Sequence, residues 1–111
     1  MILTRSFGVL LYWGGEIRYN GELHYEPRRC NAGFVLKYKI GYEHLLDKIY
    51  HYMGLKNSNF KLNIILRCPC SSSTFSEFPV MDDNTLQIIY SLNDSLEGYN
   101  TEFYIQTEKI V

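Results

Sequence analysis

YEHLLDKIYHYMG, residues Tyr42 to Gly54, repeats its apolar side chains at helical spacing. Tyr42, Leu45, Leu46, Ile49, Tyr52 and Met53 form one face, while Glu43, Asp47, Lys48 and His51 fall toward water. Gly54 follows at once and suits the left-handed conformation that closes a helix. A helix with one apolar face needs a sheet or another helix to lie on. Strand patterns flank it on both sides. Phe34 to Ile40 alternates strictly, with Phe34, Leu36, Tyr38 and Ile40 on one side. Phe60 to Cys68 does the same with Phe60, Leu62, Ile64, Leu66 and Cys68. Strand, helix and strand in succession outline a right-handed crossover unit.

Phe7 to Trp13 is nearly continuous in apolar residues, which predicts a strand central in its sheet. Gly14-Gly15 ends it. Glu16 to Tyr25 is two short alternating runs around Asn20-Gly21, the strongest local hairpin signal in the chain. Such a hairpin is expected to cover a sheet edge or to present a surface. Glu26 to Gly33 is a loop, and Pro69 to Ser76 a second one. Phe78 to Met81 is a short strand whose Pro79 confines it to an edge. Asp82 or Asp83 caps a second helix with Leu86, Ile89 and Leu92 on its apolar side. Glu102 to Ile110 is the last strand, with Phe103 and Ile105 opposed to Tyr104 and Gln106. This order predicts an α+β domain of ubiquitin-like β-grasp type, ββαββαβ, with an extra small hairpin between the first two main strands. In that topology the first and last strands run side by side, and the long helix covers one face of the sheet.

At 111 residues the chain is expected to form one domain, residues 1–111, and its 46% hydrophobic content supports a real core. A net charge of −1 excludes a global attraction to nucleic acid or anionic membrane, so such binding needs charge segregated onto one face. Three cysteines, Cys30, Cys68 and Cys70, argue against a disulfide framework and for a reducing compartment, nucleus or cytoplasm. Arg5 interrupts the only apolar start, so no secretory leader is expected, and no apolar run approaches the ~20 residues of a spanning helix. No membrane role and no cofactor are expected.

Short motifs add a resemblance. Tyr12-Trp13-Gly14-Gly15-Glu16-Ile17, the helix after a Phe-Val-Leu strand, Leu66-Arg67-Cys68-Pro69 and Val80-Met81-Asp82-Asp83 occur in order from about Val9 to Ile105. Together they resemble the N-terminal PB1-like, ubiquitin-like domain of plant Mutator-type (MuDR) transposases and their domesticated relatives. The resemblance implies a non-enzymatic protein-interaction or oligomerisation domain of a transposase-derived protein, whose partner is a second copy or another PB1-like domain. PB1 domains proper join a basic residue on the first strand to an acidic cluster near the second helix of the next copy. This sequence departs on both counts, because Phe7 to Trp13 carries no lysine and the acidic residues are sparse.

The candidate binding residues follow from strand phase. Lys37 and Lys39 on one strand, and Lys61 and Arg67 on another, point away from the helix side and are expected to form a basic face. Asp82 and Asp83 are its acidic complement on another copy, or else only helix caps. The alternative function is a nucleic-acid-binding module, in which the same cations neutralise phosphates and Tyr12 and Tyr104 stack on bases. The plainer alternative is a solvated sheet face. Cys68-Pro69-Cys70 lacks a second ligand pair for zinc, so no metal is expected. Ser71-Ser72-Ser73-Thr74 has no nucleophile elbow, and Gly14-Gly15 leads into no phosphate-binding helix. No catalytic residue is assigned.

Overall fold

The computed structural model describes residues 6–19, 22–37, 39–69, 74–95 and 100–110. The elements are β1 (Ser6–Trp13), β2 (Glu16–Tyr19), β3 (Leu23–Glu26), β4 (Ala32–Lys37), α1 (Tyr42–Met53), β5 (Phe60–Pro69), β6 (Phe75–Val80), α2 (Asp83–Ser95) and β7 (Thr101–Lys109). The chain is α+β, with a mixed five-stranded sheet in the order β4-β1-β7-β5-β6 and a separate two-stranded sheet, β2-β3. β1 and β7 lie side by side and parallel, with Val9 opposite Thr101 and Trp13 opposite Ile105. All other pairs are antiparallel. β7, not β1, is the middle strand.

The expected helix forms as its periodicity dictates. Leu45 and Ile49 are wholly buried, and Gly54 closes α1 at φ +69°, a conformation only glycine adopts without strain. Tyr52 leaves the buried face and stacks on the Phe34 ring at 5.2 Å between centroids. In α2, Leu86, Ile89 and Tyr90 are buried and Leu92 is half-buried. Both helices pack on one side of the large sheet, against Val9, Leu11, Leu36, Ile64, Leu66 and Phe103. Hydroxyls tie each helix to a neighbouring segment. Tyr50 donates to the Phe60 carbonyl at 2.6 Å, and Tyr90 donates to the Ile40 carbonyl at 2.7 Å. Each bond satisfies a polar group that packing would otherwise strand.

The strand expected over Phe34 to Ile40 is shorter and shifted. β4 stops at Lys37, and Lys39 has φ +66°, a left-handed turn that ends extended pairing. Tyr38 lies outside the described residues. Ile40 returns to the main core because the chain bends there to start α1. β5 runs one residue further than expected, to Pro69, and β6 starts earlier, at Phe75, and ends at Val80. Cys70 to Ser73, and Asn20-Gly21 of the hairpin, lie outside the described residues.

The hairpin does not cover an edge of the large sheet. Gly14, at φ +80°, turns the chain off the end of β1. Gly15 follows so tightly that any side chain there would collide with the Glu26 carbonyl. β2 and β3 then lie over the sheet face opposite the helices and close a second core. Leu23, Tyr25 and Tyr104 are its buried members, with Tyr12, Ile17, Ile65 and Phe75 around them. Tyr104 is therefore buried although its strand phase points away from the helices.

Candidate functional site: the two faces and edges of the large sheet

The cations expected to form one basic face do not meet. β4 and β5 are separated by β1 and β7, so Lys37 sits on one edge while Lys61 and Arg67 sit on the far side. Lys39 is in the turn after β4 and off the sheet. Lys61 faces Glu108 across the β5–β7 pair at 4.0 Å, both side chains exposed. Arg67 is covered by the hairpin, its side chain only 14% exposed. Its Nε donates to the Leu23 carbonyl at 2.8 Å and its Nη2 to Glu22 at 2.7 Å. Glu102 stands 3.6 Å from its other nitrogen, and its plane lies over the Phe75 ring at 3.5 Å. Two carboxylates, a carbonyl and a ring thus use up this guanidinium, which works as a latch for the hairpin.

Tyr12 and Tyr104 are likewise unavailable as a stacking platform. Their rings meet edge to face at 5.5 Å, and Tyr25 packs on both, at 5.8 and 5.1 Å. The Tyr25 hydroxyl accepts the Gly15 N–H at 2.7 Å. Burial, reinforced by the Glu102 carboxylate lying against both hydroxyls, pushes the Tyr12 phenol up to about 12 and the Tyr104 phenol higher still, while Arg67 works against the shift. Beside these rings a cleft of about 180 Å³ opens between Arg28, Glu22 and Arg67. A second, of about 430 Å³, lies where β1 ends, between Trp13, Met53, Leu55 and Phe60.

Asp82 and Asp83 both serve helix ends. Asp82 Oδ1 accepts the Thr85 N–H at 2.8 Å, and Thr85 Oγ1 accepts the Met81 and Asp82 N–H groups in return. This is a capping box with threonine as the reciprocal residue. Asp83 reaches across to the other helix and accepts the Tyr42 N–H at 2.7 Å, where Gly41 has no side chain to cap α1. Sequence spacing pointed to one local cap and missed the second, which is a contact between residues 41 positions apart.

What strand phase did not reveal is the contrast between the two sheet edges. β6 carries Glu77 and Pro79, and a proline supplies no ladder donor. β4 has no proline, and its one charge is Lys37 at the end. Among the described residues, no hydrogen bond reaches the Gly33–Lys37 backbone except from β1. Val35 is 60% exposed and Leu10 on neighbouring β1 is 36% exposed, so the edge is apolar as well as open. Its surroundings are basic. Lys48 of α1 stands over the Phe34 ring at 5.7 Å, Lys37 and Lys39 follow the strand, and Arg29 precedes it. No Asp or Glu occurs between Glu26 and Glu43, whereas no Lys or Arg occurs between Arg67 and Lys109.

Among the described residues, no group of three or more His, Cys, Asp or Glu is placed to hold a metal ion. No described helix is long and apolar enough to cross a membrane. Compared with protein-family models, with curated proteins and with solved structures, the chain matches none.

Proposed function

We propose that this chain is a protein-association module of β-grasp, PB1-like type that takes its partner on the free edge of β4. The open, apolar backbone of Gly33 to Leu36 carries this reading. Folded proteins blunt exposed edges with proline, charge or cover, because an unpaired ladder recruits other strands. β6 is blunted by Glu77 and Pro79 within the strand, whereas β4 carries its one charge, Lys37, at its end. The β-grasp assignment rests on the strand order β4-β1-β7-β5-β6 with parallel β1 and β7. The resemblance to the N-terminal domain of Mutator-type transposases points the same way. Nucleic-acid binding has weaker support, since Arg67, Tyr12 and Tyr104 are engaged beneath the hairpin.

The test places a photo-crosslinking amino acid at Val35 and, as a control, at exposed Glu43 in an extract of the source cells. Protein adducts from position 35 that are absent from position 43 are the expected result. Equal labelling at both positions, or adducts to nucleic acid alone, would remove the reading.

A further inference from the structure

The β4 edge has more than open hydrogen-bonding groups. It has a charge sign. Lys48 stands over an apolar centre of Phe34, Val35 and Tyr52, Lys37 ends the strand, Lys39 and Arg29 lie just beyond its two ends in the chain, and the sequence from Pro27 to Tyr42 supplies no carboxylate. From this complementarity we infer that the partner segment is an extended acidic peptide, apolar at alternate central positions, that adds to β4 as a sixth strand. The inference rests on the proposed role of this edge and specifies its ligand.

Geometry assigns each part of such a peptide a place. A strand added beside β4 has side chains alternating between the two sheet faces. On the outer face its apolar residue meets Val35, which stands 60% exposed opposite Gly8 and diagonal to Leu10. On the helix face it meets the stacked Phe34 and Tyr52 rings, with the Lys48 ammonium above them. Acidic residues at the ends of the peptide reach Lys37 and Lys39 at one end and Arg29 at the other. Backbone bonds supply affinity without sequence preference, while the alternate contacts and charges select the ligand.

The same charges argue against the simplest competitor, a two-fold dimer of β4 strands. Antiparallel self-pairing would set Lys37 and Lys39 of one copy beside Arg29 of the other and bring two Lys48 side chains to one groove. Like charges opposed across a strand pair destabilise it. The protein's own acidic edge strand, β6, is also a poor occupant, because Pro79 lacks a donor in its ladder.

The experiment titrates the protein with a synthetic extended peptide that has valine at alternate central positions and aspartate or glutamate at both ends. A second peptide replaces every acid by lysine. Binding is followed by fluorescence anisotropy and by amide chemical shifts. The acidic peptide is expected to bind, to shift the amides of Gly33 to Lys37, and to weaken as salt rises. The basic peptide is expected to bind at least about tenfold more weakly, the order of effect of three surface pairs acting together. The K37E/K39E/K48E variant, whose three side chains are surface cations, should reverse that preference while its circular dichroism stays unchanged. Equal binding of both peptides, or binding of neither, overturns the inference. Crosslinking from Val35 to a protein would then still support the association role with a different ligand. Loss of that crosslinking together with silence from both peptides would end both readings.

Discussion

The two sides of the large sheet are filled by different chemistry. The helix side is mainly aliphatic, with Leu11, Leu36, Leu45, Ile49, Leu66 and Leu86 fully buried beside Phe103. The opposite side is a small cluster of tyrosines sealed by one arginine, its carboxylate partners and a two-stranded lid. Burial of apolar area, about 25 cal/mol per Å², dominates the first side, with directed bonds such as Tyr50 to Phe60 and Tyr90 to Ile40 at its margin. The second depends on a few directed bonds, among them Arg67 to Leu23 and Glu22, and Gly15 to Tyr25. From this contrast we expect one face to support the fold and the other to hold an accessory that opens separately, as local units of low stability do.

The sharpest way to break that comparison is to damage the helix side. Ile49→Ala should cost about 2–5 kcal/mol and unfold the whole domain earlier in urea. A cost below about 1 kcal/mol would mean that α1 is not the centre of the fold. Next in size, Arg67→Met should cost about 1–3 kcal/mol, since it leaves Glu102 and Glu22 without their guanidinium. Its hydrogen exchange should quicken in β2 and β3 and stay slow in β5 and β7. Uniform acceleration would show that lid and sheet open as one unit.

Asp83→Ala tests a link within the helix layer and should cost about 0.5–2 kcal/mol, whereas Asp83→Asn keeps an acceptor for Tyr42 and should recover most of it. Chemical denaturation of the pair distinguishes a cap from a charge effect, because equal losses in both variants would point to charge. The smallest effect is alkaline. Tyr12 ionises near 10 when unfolded and about 12 when folded, so the folded state disfavours its phenolate. Stability is therefore complete below about pH 10 and declines as pH rises from there through about 12. Denaturant midpoints that stay level across that window would show that the outer cluster is wet.

The two edges give a parallel contrast, and it bears on how far the site was legible. Pro79 marked β6 as an edge strand from sequence, because proline cannot donate. Nothing local marked β4 as the other edge. Its Phe34-Val35-Leu36 core reads like any strand with one buried side, and only the placing of β1 beside it, with no other described strand on its far side, made it an edge. The expected basic face failed for the same reason. Phase correctly put Lys37, Lys61 and Arg67 on one side of their strands, but phase carries no information about which strands are neighbours. Asp82 was legible as a cap since its partner Thr85 is three residues away. The Asp83 bond to Tyr42 was not, as it spans two helices.

By itself the sequence determined the elements, their order, the buried stripe of α1 and its glycine stop. These depend on periodicity and on backbone preference within a dozen residues, which any window of the chain displays. Tertiary structure alone decided that the hairpin would fold over the outer face, that Arg67 would be neutralised there, and that β4 would keep an open edge. Those outcomes depend on contacts between residues distant in the chain, where the pairing of strands and the cost of leaving a buried charge or donor alone select among arrangements that local pattern leaves equal.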